Sequence, residues 1–282
     1  MTDAPAEQTP PPTGRAGRNL ASAIGVGAAL GIFLVLVPLI VAPWVFIFVV
    51  SAAMLVAAHE LIGATEQRGT HLVAVPLYLG VALIPQAAYW YGTLALIATF
   101  GATVLAILGW RLVGGPEGYV ADVSGSILVA SYTGLMAGFV GLMLTSTHGP
   151  ERIIVFIVLT ICSDIGGYVA GVLAGRHPMA PSISPKKSWE GFVGSLVLQA
   201  VAGVALFVFL LEAPWWQGLV TGLVLTVTAT GGDFVESAIK RDLGVKDMSN
   251  LLPGHGGLMD RLDSLLPNAF TSWLLLRVFL GP

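Results

Sequence analysis

Three observations predict an all-α, polytopic membrane fold. Hydrophobic residues make up 55% of the 282 positions and charged residues only 10%, against about 25% charged in soluble domains. Mean hydropathy is accordingly high, at +0.84. The apolar residues come in continuous runs rather than alternating, which argues against a β-barrel. Positive charge also falls on one side of a helical threading of those runs.

Taken in order, residues 1–19 (MTDAPAEQTPPPTGRAGRN) are polar and Pro-rich without apolar periodicity, so they are expected to form a disordered cytoplasmic tail. The run that follows is too long for a signal-peptide core, and no small-residue cleavage site succeeds it. A hydrocarbon core ~30 Å thick needs roughly 20 apolar residues per helix. On that measure about nine spans are expected, near 20–41, 43–62, 71–89, 92–110, 125–145, 152–175, 190–212, 215–232 and 263–280. Together they form one transmembrane domain, 20–282. Pro76 and Pro85 fall in the third span and Pro267 in the ninth, where neighbouring helices can accommodate them.

Orientation follows from Lys and Arg. With a cytoplasmic amino terminus and nine spans, eleven of the thirteen basic residues fall on the cytoplasmic side and only Arg152 and Arg277 on the other. Biased insertion produces this asymmetry, and one span more or fewer would scramble it. The net charge of −3 gives no argument for nucleic acid. A single cysteine, Cys162, excludes an internal disulfide and suits a small buried apolar position.

Two polar segments face the cytoplasm on this topology, 176–191 and 232–263. The second holds six of the sixteen acids: Asp233, Glu236, Asp242, Asp247, Asp260 and Asp263. Asp260 and Asp263 are three residues apart, as are Asp233 and Glu236, so a helical turn would align each pair. Converging carboxylates suit Mg²⁺, which takes one or two of them and completes its shell with water and phosphate. They could equally pair with Lys240, Arg241 and Arg261 as a solvated ionic loop, and spacing alone leaves both open. Lys240, Arg241, Lys246 and Arg261 could bind phosphates, though cytoplasmic loops collect such residues regardless. Gly254, Gly256 and Gly257 permit close backbone approach to a ligand; His255 among them could donate to a phosphate oxygen. In Ser184-Pro185-Lys186-Lys187-Ser188-Trp189-Glu190-Gly191, Ser188 could cap the next helix, and the lysines suit an anion or lipid headgroups. Asp164, mid-span between Ser163 and Gly166-Gly167, is costly at that depth and calls for a cavity or a partner. His59 and Glu60 end the second span near the interface and receive no role.

The order of these residues resembles a known signature. Ser237-x-Ile239-Lys240-Arg241, Lys246-Asp247-x-Ser249 and Leu252-Pro253-x-His255-Gly256-Gly257-Leu258-x-Asp260-Arg261-Leu262-Asp263 span 27 residues similar to those of the phosphatidate cytidylyltransferases. The likeness extends to Ser184-Pro185-Lys186-Lys187-Ser188-x-Glu190-Gly191 and Gly232-Asp233, and over the rest of the chain to hydropathy alone. Gly167 departs mildly from the alanine often found there. The resemblance implies CMP transfer from CTP to phosphatidic acid, with Mg²⁺ and often K⁺, at the cytoplasmic face of the cell membrane. It implies metal binding at Asp233 and Asp260, with Asp263 beside them and Asp164 added here. Lys240, Arg241, Asp260, Arg261 and Asp263 would be catalytic, while Ser184, Lys186, Lys187, Ser188, Lys246, His255, Gly256 and Gly257 would contact substrate. A homodimer is a family expectation. Two rivals remain: a CTP-dependent lipid kinase, which would transfer the γ-phosphoryl, and an ion-coupled transporter, which would require internal repeats and broken helices in both halves.

Overall fold

The computed structural model describes residues 42–249, 251 and 256–282. The expected tail, the first expected span and His255 lie outside the described residues. Among those residues six helices are long and apolar enough to cross a membrane: α1 (Pro43–Glu66), α2 (Ala74–Leu112), α3 (Tyr119–Leu144), α4 (Gly149–Ala174), α5 (Trp189–Phe209) and α6 (Trp215–Leu243). A shorter apolar helix, α7 (Leu265–Leu280), follows them. The chain is therefore a multi-pass, essentially all-α membrane protein.

Helix α2 contains 39 residues, about 58 Å if straight and nearly twice a bilayer core. It is not straight. Gly92 has φ 79° and ψ −164°, backbone that only glycine adopts readily. Gly80 lies directly against the Thr103 side chain, although a straight helix would hold the two about 35 Å apart. The chain thus doubles back at Gly92, and the expected third and fourth spans are the two arms of this helical hairpin. Pro76 and Pro267 occupy the first turns of α2 and α7, where a missing N–H costs nothing; Pro85 alone stands inside a helix.

The segment expected as a polar loop at 176–191 instead carries a small antiparallel hairpin, β1 (Pro178–Ala180) with β2 (Ser184–Ser188). This corrects a wholly α reading. Ser188 ends the hairpin and caps α5 as expected, its Oγ accepting the Gly191 N–H at 3.1 Å.

Packing differs across the molecule. Around α1 to α3 the core is large and apolar, built from Leu61, Leu77, Val81 and Ile107 among others. The crossings of α4 with α5 and of α5 with α6 are made by glycine. Gly166 meets Gly194, and Gly203 meets Gly218. Small residues let helix backbones approach where lipid offers no hydrophobic drive to association.

Candidate active site

Between α4, α5, α6 and the hairpin lies a cavity of about 360 Å³, whose lining includes Asp164, Ser184, Lys186, Lys187, Ser188 and Asp233. Six residues singled out in the sequence, from three separate stretches, therefore share one space. Asp164 is exposed to it, which resolves the cost of an acid within a span. The glycines beside it serve a helix: Gly166 and Gly167 pack on Gly194 and Ser195 of α5.

Lys187 is the electrostatic centre of the cavity. Its ammonium pairs with Asp233 of α6 and stands 5.3 Å from the Phe234 ring centre. Burial pulls its pKa down to about 8, against the opposing fields of Asp263, Asp164 and Glu236. Burial conversely pushes the Asp263 carboxyl up, although the Ser264 N–H and the Lys187 and Lys240 charges pull it back. Gly232 explains how Asp233 comes close to this acid. A side chain at Gly232 would overlap the Asp263 carbonyl, so the glycine lets α6 lie against the segment leading into α7.

A second cavity, of about 210 Å³, is shared by Ser184, Lys186, Lys240, Arg241 and Lys246. Ser184 and Lys186 line both spaces, so a chamber holding acids and lysines together adjoins a basic groove across strand β2. Arg241 Nε also donates to the Ile183 carbonyl at 3.4 Å, tying α6 to the hairpin turn.

Asp260 is placed differently. It belongs to a 3₁₀ turn, Met259–Arg261, and does not line the first cavity. Its Oδ1 accepts from Lys240 Nζ at 2.9 Å, and its Oδ2 from the N–H groups of Met248 (3.0 Å) and Gly257 (2.7 Å). Burial would raise its pKa, but hydrogen bonds shared with Glu236, Lys240 and those two amides outweigh burial and hold it low. Gly256, three residues before this turn, has φ 80°, which suits glycine. Arg261 is exposed, and its charge bears on Asp164.

Three residues have a place in the structure that the sequence reading did not assign to them. Glu236, 1% exposed, pairs at 2.6 Å with Lys240, which thereby bridges Glu236 and Asp260; their i,i+4 spacing was the available signal. Arg68, after α1, donates from Nε to the Leu243 carbonyl at the end of α6 at 2.8 Å. Glu60, given no role, accepts three hydrogen bonds from the 249–259 stretch. Its signal was a carboxylate inside an apolar run.

The acids and serines offer the hard oxygen donors that Mg²⁺ prefers. Among the described residues no three His, Cys, Asp or Glu side chains converge closely enough to form a metal cage alone. Mg²⁺ ordinarily completes its shell with water and substrate phosphate, so one or two carboxylates fit it.

Comparison with known sequences shows the family. The cytidylyltransferase family model matches residues 23–279. This chain belongs to that family. It is 41% identical over 282 residues to the phosphatidate cytidylyltransferase of Mycobacterium leprae, covering 94% of this chain and 90% of the relative. The Mycobacterium tuberculosis H37Rv enzyme of the same name is also 41% identical, over 94% and 85% of the two chains. The Staphylococcus saprophyticus enzyme is 30% identical over 75% and 82%. The protein is thus a nucleotidyltransferase by family.

Proposed function

We propose that this protein transfers CMP from CTP to phosphatidic acid, giving CDP-diacylglycerol and pyrophosphate at the cytoplasmic face of the cell membrane. The observation that carries this is the adjoining pair of cavities, one with Asp164, Asp233 and Lys187, the other with Lys240, Arg241 and Lys246. Two polyanions must meet in this reaction, so the site needs cations to offset their repulsion. The 41% identity to phosphatidate cytidylyltransferases supports the same substrates.

A phosphate oxygen of phosphatidate attacks the α-phosphorus of CTP, and the bond from that phosphorus to the bridging oxygen breaks as pyrophosphate leaves. The monoester is already anionic at neutral pH, so no side chain need act as general base. Asp233 and Asp164 would hold Mg²⁺, and the ion would supply charge neutralisation along the triphosphate, while Asp260 would hold the Lys240 ammonium toward the phosphates. K⁺ as a second cation belongs to the same proposal. Lys186, Lys187, Lys240, Arg241, Lys246 and Arg261 then contact phosphates, and Ser184 and Ser188 donate hydroxyls. Gly256 and Gly257 keep the backbone low beside them. Nine spans with a cytoplasmic amino terminus would set both cavities at the membrane surface, reachable by soluble CTP and by a lipid.

The test is a product assay on detergent-purified protein with Mg²⁺, phosphatidate and CTP labelled separately at the α and γ positions. The α label should enter lipid and the γ label should leave as pyrophosphate. Label from γ in lipid would establish a kinase instead. Asp260→Asn should cut transfer by loosening Lys240; unchanged activity would remove Asp260 from the assignment.

A further inference from the structure

Glu60 lies near the carboxyl-terminal end of α1 and is 5% exposed. A carboxylate so buried must find donors, and the three that it finds among the described residues come from one stretch some 190–200 residues later. Ser249 Oγ donates to Oε1 at 2.5 Å, the Leu258 N–H to Oε1 at 2.9 Å and the Met259 N–H to Oε2 at 2.7 Å. The last two are the free amides at the start of the 3₁₀ turn that carries Asp260 and Arg261, where a carboxylate is favoured. Asp260 takes the neighbouring amides, Met248 and Gly257. Two carboxylates from distant parts of the chain therefore divide this stretch's donors between them. The seat is close: a Cβ on Gly257 would lie 2.8 Å from both Glu60 oxygens.

We propose that Glu60 is a positioning residue for the reaction, a clamp on helix α1 that fixes where the 257–261 backbone presents Asp260. It touches no reacting group. It acts by holding the amides beside Asp260, which pairs with Lys240. This role rests on the transfer activity proposed above.

A double-mutant cycle of Glu60→Ala and Gly257→Ala, with Glu60→Gln alongside, tests the clamp by two independent readouts. Hydrogen exchange of the peptide covering 256–262, in detergent and without substrate, should rise at least tenfold in Glu60→Gln while the α2 peptides stay unchanged. Turnover per folded molecule should fall about 10–100-fold, the size of loss seen when an outer partner that orients a site carboxylate is removed, with the KM for phosphatidate within about twofold. Gly257→Ala should cost turnover in the wild-type background but little beside Glu60→Ala, because the shortened side chain leaves room for the added methyl. If Glu60 variants do not fold, Ser249→Ala removes one donor and should still raise exchange at 256–262. Unchanged exchange, independent multiplication of the two losses, or turnover falling only with the folded fraction would each overturn the clamp. A wild-type protein that fails to move the α label into lipid would defeat the proposed activity, whereas the exchange result would still decide the clamp.

Discussion

Helices α1 and α2 bury Phe46, Ile47, Met54, Leu61, Leu77, Val81 and Ile84, whereas α5 buries Gly191, Ser195, Gln199, Gly203 and a single large residue, Phe207. Both regions sit in the same apolar setting, yet one is held by interlocking side chains and the other by backbone proximity and hydrogen bonds. Gln199 Nε2 donates to the Leu159 carbonyl, and Ser195 Oγ to that of Ser163, each at 2.6 Å. Asn268 Nδ2 donates to Thr160 Oγ1 at 3.0 Å. The difference follows from what each region must do. A cavity lined by acids, lysines and hydroxyls cannot also be lined by leucine, so its helices draw cohesion from glycine contacts and polar pairs.

The largest effect separates chemistry from packing. Asp233→Asn should lower CMP transfer by about 10²–10³-fold with the thermal midpoint in detergent close to wild type; a normal rate would move the site out of the cavity that Asp233 lines. Next, the two packing styles should fail in opposite ways. Leu77→Ala opens a void in the apolar half and should cost about 2–5 kcal/mol. Gly194→Ala adds a methyl where the Gly166 carbonyl already presses and should cost about 1–3 kcal/mol by overpacking. Equilibrium unfolding of the two variants checks the order, and a stabilised Gly194→Ala would end the distinction. The smallest change is Gly92→Ala. No neighbour crowds that position, so only backbone strain of ~1–3 kcal/mol is at stake. Turnover per folded molecule should stay at the wild-type value, because the α2 hairpin bend lies outside both cavities.

Much of the site was legible in sequence order. Lys186, Lys187, Ser188, Asp233 and Asp164 were singled out from motif and depth, and the structure gathers all five around one cavity. Ser188 caps α5 as its position suggested. Glu60 was not legible, since its meaning depends on three donors about 190–200 residues away. The same applies to Asp260. Its spacing to Asp263 suggested one shared face, but it turns toward Lys240 and two amides while Asp263 bears on Lys187. Helix periodicity describes a regular turn, and this segment is a single 3₁₀ turn set between carboxylates.

The sequence by itself determined that this is a multi-span helical membrane protein of the cytidylyltransferase kind, because apolar length and motif order are local properties of the chain. Tertiary structure alone decided that α2 folds back at Gly92, that two cavities adjoin across β2, and that α1 reaches the 257–261 backbone through Glu60. Each of these is a contact between residues far apart in the chain, set by which backbones can approach and which buried donors need an acceptor.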